Sequence, residues 1–169
     1  MVLCVIGGVL LLQDSAKGGG DDNDRNEVTS RATDFAVAYN TYDVARLDEY
    51  QKRVKGLLTP AYSKQFVEVT DAIFKALETK KQTSDGANVL GVAIDSIDKD
   101  SAEAIIAVDA KISNTDNEAA VLRHFRWKVS FTKTKSKWLV AKFESVAPVD
   151  AQATPVPSTT TPSPQGGDN

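Results

Sequence analysis

The chain is poor in the residues that build metal centres and covalent staples. It has one cysteine, Cys4, one histidine, His124, and only one proline, Pro60, before residue 148. A lone cysteine cannot close an intramolecular disulfide, which excludes a disulfide-stapled scaffold. One histidine and one remote cysteine cannot supply a zinc site, so no metal is expected. Gly18-Gly19-Gly20 lacks the Gly-Lys-Ser/Thr that a phosphate-cradling loop requires. No serine or cysteine nucleophile lies near a plausible base, and neither an enzyme activity nor a cofactor is expected. A net charge of -3 argues against a nucleic-acid binder.

What is present divides the chain into four parts. Residues 1–12 carry no charge and are almost wholly apolar. Twelve helical residues span ~18 Å against a hydrocarbon core of ~30 Å, too short to cross a membrane alone. Nothing basic precedes the run and no small-x-small cleavage site follows it, which disfavours a signal peptide. Only three residues stand before Cys4, which disfavours a lipoprotein. The run is read as the outer half of a transmembrane helix that starts upstream of Met1; the other reading is a short buried or disordered N-terminus. Residues 13–24, rich in glycine and aspartate, are expected to be a flexible linker. At the other end, 148–169 holds five of the six prolines among Ser, Thr and Gln. It has too little apolar surface to offset its ordering entropy, so a disordered tail is expected. Its Ser/Thr-Pro character permits O-glycosylation.

The segment 25–147 carries the fold. Asp24 and Glu27 form a helix-start signal, and Val28, Ala32, Phe35 and Tyr39 recur at helical spacing. Leu47, Tyr50, Val54, Leu57 and Leu58 make a second helical stripe. Thr59-Pro60 reads as an N-cap followed by proline at the first helical position. Behind it Tyr62, Phe66, Val69, Ile73 and Leu77 line one face. Helices are expected near 25–41, 46–57 and 60–81.

From Ala87 the period changes to two. Strands are expected near 88–97, 102–112, 120–133 and 138–146, with Gly91 as a bend or bulge. Val121, Arg123, Phe125, Trp127, Val129 and Phe131 share one face of the third strand. In the last strand both faces look partly apolar, and the pattern does not choose between them. Phe35, Tyr39, Phe66, Val69, Ile73, Ile106, Val108, Phe125, Trp127 and Val129 are the expected core. The pattern is α+β: three N-terminal helices covering one face of a curved four-stranded antiparallel sheet, a cone-shaped half-barrel.

Thr41-Tyr42-Asp43, Leu57-Leu58-Thr59, the helix around Phe66, and the closing strand pair with Arg126, Trp138-Leu139-Val140 and Val146 stand in an order and spacing that resembles the actinobacterial Mce (mammalian cell entry)-associated membrane proteins. The likeness covers roughly 27–147. Ser136-Lys137 stands where the family often carries glycine. The resemblance implies a nuclear-transport-factor-2-like, or cystatin-like, cone behind one N-terminal transmembrane helix, held on the extracytoplasmic side of the cell membrane. It implies a non-catalytic accessory or assembly subunit whose partners are protein subunits of an Mce-type lipid import complex, with the membrane engaged through the anchor. The alternative is a small apolar-ligand carrier, or an enzyme, using the cone pocket.

Two groups of residues invite a site reading. His124 falls on the polar side of its strand, where Asp109 pairs with it across the ladder if the register permits. As a dyad the pair would need a pocket; otherwise it is a surface histidine beside an acid. From Ala119 to Phe143 there are seven bases, Arg123, Arg126, Lys128, Lys133, Lys135, Lys137 and Lys142, and no acid. They make either a solvated sheet face and hairpin tip or a docking surface for an acidic protein or anionic lipid headgroups. Arg123, among inward-facing apolar residues, is either a pocket residue or one that snorkels out at the rim.

Overall fold

The computed structural model describes residues 18–146, with side chains from 22 onward. The expected anchor at 1–12, the first part of the linker and the tail at 148–169 lie outside the described residues. Three helices, α1 (Gly18–Asn40), α2 (Leu47–Lys55) and α3 (Pro60–Leu77), pack on one face of a five-stranded antiparallel sheet. Its strands, in spatial and chain order, are β1 (Tyr42–Asp43), β2 (Thr83–Ile97), β3 (Ser101–Asn114), β4 (Asn117–Thr134) and β5 (Lys137–Ser145). Among the described residues no helix is long and apolar enough to cross a membrane.

The helical expectations hold in outline and fail at the edges. α1 begins at Gly18, inside the stretch expected to be linker. Asp24 is therefore not the cap but sits within the helix. Its carboxylate receives Lys133 Nζ at 2.6 Å and Trp138 Nε1 at 3.3 Å, which ties this turn to the β4–β5 hairpin. Val28, Ala32, Phe35 and Ala36 are fully buried along α1. At α3, Thr59 accepts from the Tyr62 amide and Pro60 takes the first helical position, as the sequence suggested. The buried stripe differs: Phe66, Thr70 and Phe74 face the core, while Val69 and Ile73 are 49% and 45% exposed, a correction to the expected core. Thr70 can enter the core because its hydroxyl donates to the Phe66 carbonyl at 2.8 Å, leaving no bare polar group.

The fifth strand was not expected. Tyr42 and Asp43 pair with Ser84 and Thr83, two residues too few to show any periodicity. β2 carries three register shifts, one of which leaves Leu90 unpaired next to Gly91. β4 alternates only in its second half: Val129 and Phe131 are buried, Phe125 and Trp127, expected in the core, are half-buried, and residues 117–124 are exposed on both faces, Val121 among them. β5 resolves the ambiguous face. A register shift opposite Ser130 and Phe131 separates two alternations, so Trp138 and Val140 point inward and, past the bulge, so does Phe143. The free edge of β5 is covered by the α2–α3 loop, where Thr59 N donates to Val140 O at 2.8 Å and Val140 N to Leu57 O at 2.9 Å.

Candidate functional site: an aromatic cavity between helix α3 and the sheet

The seven bases do not form one surface. Strand alternation puts Arg126 and Lys128 on the outer face of β4 but Arg123 and Lys133 on the face that carries Phe125, Val129 and Phe131. Lys133 is bound to Asp24, as above. Lys128 pairs with Glu103 on β3 at 2.9 Å, and Lys142 with Glu144 at 3.0 Å. The Lys128 hydrogen bond holds the Glu103 carboxyl below its ordinary range, and Glu103 in turn raises the Lys128 ammonium. Arg126 Nη1 donates to the Phe125 carbonyl at 2.8 Å. Arg123, Lys135 and Lys137 are exposed and make no ion pair among the described residues. The run is acid-free along the chain only, because β3, α1 and the residue after Phe143 bring acids to it.

Asp109 and His124 do stand opposite each other in the ladder, with His124 Nδ1 2.7 Å from Asp109 Oδ1. The imidazole is 62% exposed. Alternation directs this pair to the opposite side of the sheet from Phe125 and Trp127, so it borders no apolar pocket. Arg123 likewise is exposed and lies outside the cavity lining.

The cavity lies on the helix-covered face. About 280 Å³, open on one side to solvent, is lined by Tyr39 and Asn40 of α1, Tyr50 of α2, Thr70, Ile73, Phe74 and Leu77 of α3, and Ile112, Phe125 and Trp127 of the sheet. Tyr42 of β1, Ser84 of β2 and Gln82 just before that strand complete the lining. A recess of about 70 Å³ adjoins it past Tyr39, Thr70 and Ile73, reaching Tyr62, Phe66, Val69 and Phe143. The rings brace one another. Trp127 stacks on Phe125 with centroids 5.7 Å apart and 10° between planes, and meets Tyr39 and Phe143 edge-on at 5.3 and 5.6 Å.

The cavity is electrically quiet. No carboxylate, imidazole, ammonium or guanidinium lines it or the recess. Burial pushes the Tyr39 phenol up to about 12 and raises Tyr50 further still. Burial also raises Tyr42, against a hydrogen bond from Gln82 that lowers it. All of these phenols are neutral at physiological pH. The polar groups present are mostly engaged. Asn40 Nδ2 donates to Ala36 O at 2.8 Å, Ser84 Oγ to Asn40 O at 2.6 Å, and Tyr50 OH to Tyr39 O at 3.2 Å. Trp127 Nε1 is a buried donor with no partner among the described residues. Such a group costs about 1–3 kcal/mol.

A second, polar cleft lies at the α2–β1 corner, lined by Asp43, Arg46, Glu49, Arg53 and Asp85 among others. Arg46 pairs there with Asp43 at 3.3 Å and with Glu49 at 3.7 Å, and Arg53 donates to the Thr41 carbonyl. Sequence reasoning placed Trp127, Phe66 and Tyr39 in the core and did not see that they border a cavity.

No family model and no curated protein matches the chain. Solved structures do. The periplasmic domain of DotI aligns with a TM-score of 0.59 at 14% identity, over 70% of this chain and 91% of that one. CagV of Helicobacter pylori, a VirB8 homologue of the type IV secretion system, aligns at 0.56 and 9% identity, over 71% and 96%. An NTF2-like protein with a cystatin-like fold from Novosphingobium aromaticivorans aligns at 0.55 and 14% identity, over 86% and 95%. The fold is NTF2-like. At these identities the likeness is one of architecture, and no Mce-associated protein is among these three neighbours.

Proposed function

We propose that this chain is a non-catalytic accessory subunit of a cell-envelope assembly, working on the extracytoplasmic side, and that the assembly is an Mce-type lipid importer. The observation that carries the reading is the cone itself, built like the periplasmic domain of DotI and like a VirB8 homologue of a secretion machine. The sequence landmarks from Thr41 to Val146 add the Mce resemblance, and the apolar run at 1–12 adds a membrane tether. The neutral lining of the cavity supports a binding rather than an acid–base role.

Purification of the tagged full-length protein from native membranes, followed by mass spectrometry, tests this. Mce-type transporter subunits should co-purify in constant proportion. Their absence, with the protein recovered alone, would sink the reading. The same cavity supports a second reading, in which the cone carries a small apolar ligand.

A further inference from the structure

We propose that the cleft between α3 and β4 binds a small aromatic monocarboxylate, with its ring body in the cavity and its carboxylate on Arg123 at the mouth. The inference rests on the carrier reading of the cavity and not on the accessory one.

The mouth comes first. Tyr50, Thr70 and Phe74 line the cavity from buried positions, while Ile73 is 45% exposed and Leu77, Ile112 and Phe125 are half-buried. The open side therefore lies between the second half of α3 and strands β3 and β4. No further strand flanks β4 at this level, because β5 ends at Ser145, opposite Trp127. The turn after α3 is tied to the β3–β4 hairpin: Thr115 N donates to Lys80 O at 2.9 Å, and Lys80 Nζ pairs with Asp116 at 2.7 Å. These contacts hold the two walls of the cleft together in advance, which lowers the ordering cost of binding.

Arg123 stands on the sheet wall. In the ladder Val121, Arg123 and Phe125 lie opposite Ile112, Ala110 and Val108. Ala110 and Val108 are fully buried, so this is the helix-covered face. Ile112 and Phe125 both line the cavity, and Arg123 sits between their rows, about 7 Å along the strand from Phe125. It is exposed and has no carboxylate partner among the described residues. An arginine lays its stem along apolar surface and keeps its charge in water. At this position that leaves one unpaired cation beside an apolar opening.

The chemistry of the ligand follows from these two parts. Tyr39 and Phe125 meet Trp127 edge-on and stacked, and such ring surfaces suit a planar aromatic body. A cavity of about 280 Å³ with a 70 Å³ recess lies near the lower end of ligand pockets, roughly 300 to 1,000 Å³, and admits a small ring system. No ionised side chain lines the interior, so a charge carried inside would lose its hydration and find no counter-ion. The ligand therefore carries a single charge, at the end left in the mouth. The planar fork of an arginine receives a carboxylate through two parallel hydrogen bonds, which selects an anion over an alcohol or an amine.

Three probes with one naphthyl body separate charge from shape: 2-naphthylacetate, 2-naphthylethanol and 2-naphthylethylamine. The isotope-labelled full chain shows two indole signals in a proton–nitrogen correlation spectrum, one for each tryptophan. All three probes should move the signal of Trp127, which lines the cavity, more than that of Trp138, which does not. The acetate should bind roughly three- to fivefold tighter than the alcohol, the range of a partly exposed ion pair, and the amine weakest. That preference should shrink as salt is raised. Arg123→Gln should erase it and leave the affinity for the alcohol unchanged. If the three probes bind alike, or if the preference survives Arg123→Gln, the carboxylate inference is overturned while the carrier reading stands. If no probe moves the Trp127 signal up to its solubility limit, both are overturned.

Discussion

Asp24 is held by two residues far from it in the chain, Lys133 and Trp138, 109 and 114 positions away. The Lys133 hydrogen bond, chiefly, draws its carboxyl below the ordinary value of 3.8. A carboxyl lowered on folding stabilises the protein above its unfolded pKa, and that contribution is lost as pH falls through the folded value. Asp24→Asn should therefore lower the urea midpoint at neutral pH. The two proteins should converge as pH falls through the lowered folded-state value, where the wild-type carboxyl is protonated as well. A gap that persists unchanged into acid would mean that Asp24 acts through shape, not charge. Phe35 makes the apolar counterpart. It is fully buried, with ring centroids 5.7 Å from Tyr39 and 5.1 Å from Phe143. Phe35→Ala should cost about 3–5 kcal/mol in the same urea experiment. The tyrosines set the alkaline limit: Tyr39 ionises at about 12 when folded and near 10.0 when free. A raised phenol stabilises the protein below its unfolded pKa and ceases to do so as pH climbs through the folded one. Phenolate absorbance should lag in the native protein between those values and appear at once on unfolding.

At the scale of elements, the β4–β5 hairpin carries its strain in the open. Lys135 and Ser136 both have positive φ, 49° and 63°, as a two-residue turn of the primed kind requires. Neither is glycine, and Ser136 is one of the two positions, with Lys137, where the resembling family often has one. Lys135→Asn with Ser136→Gly should raise stability by about 1–2 kcal/mol, measured by thermal unfolding. No gain would mean that the turn is relaxed by its surroundings. Element type was legible because the hydrophobic period changes from helical to alternating near Ala87, and type follows period. Three features were not. β1 is too short to show a period. β5 changes face at its bulge, which blurs both alternations. The α3 stripe is turned by a threonine that satisfies its own hydroxyl, and a hydropathy pattern scores that residue as polar. The cavity was illegible for a related reason: a ring beside a void and a ring in a packed core have the same sequence pattern.

For the whole molecule, the basic run shows how far charge along a chain differs from charge on a surface. Seven bases without an acid became, on folding, three ion pairs and a dispersed remainder. Their pairing is worth little where solvent reaches it, and strand alternation divides the β4 bases between the two faces of the sheet. The His124–Asp109 pair, by contrast, was legible, because strict alternation and one short turn determine the register. It also offers the sharpest division between an assembly role and a catalytic one. Membranes from a strain lacking this chain would be resolved by native electrophoresis. Before and after them would run strains complemented with the wild type or with the double variant Asp109→Asn, His124→Gln. The account predicts that the importer complex is depleted without the chain and restored equally by both proteins. A complex unaffected by the deletion, or one restored by the wild type alone, would contradict it.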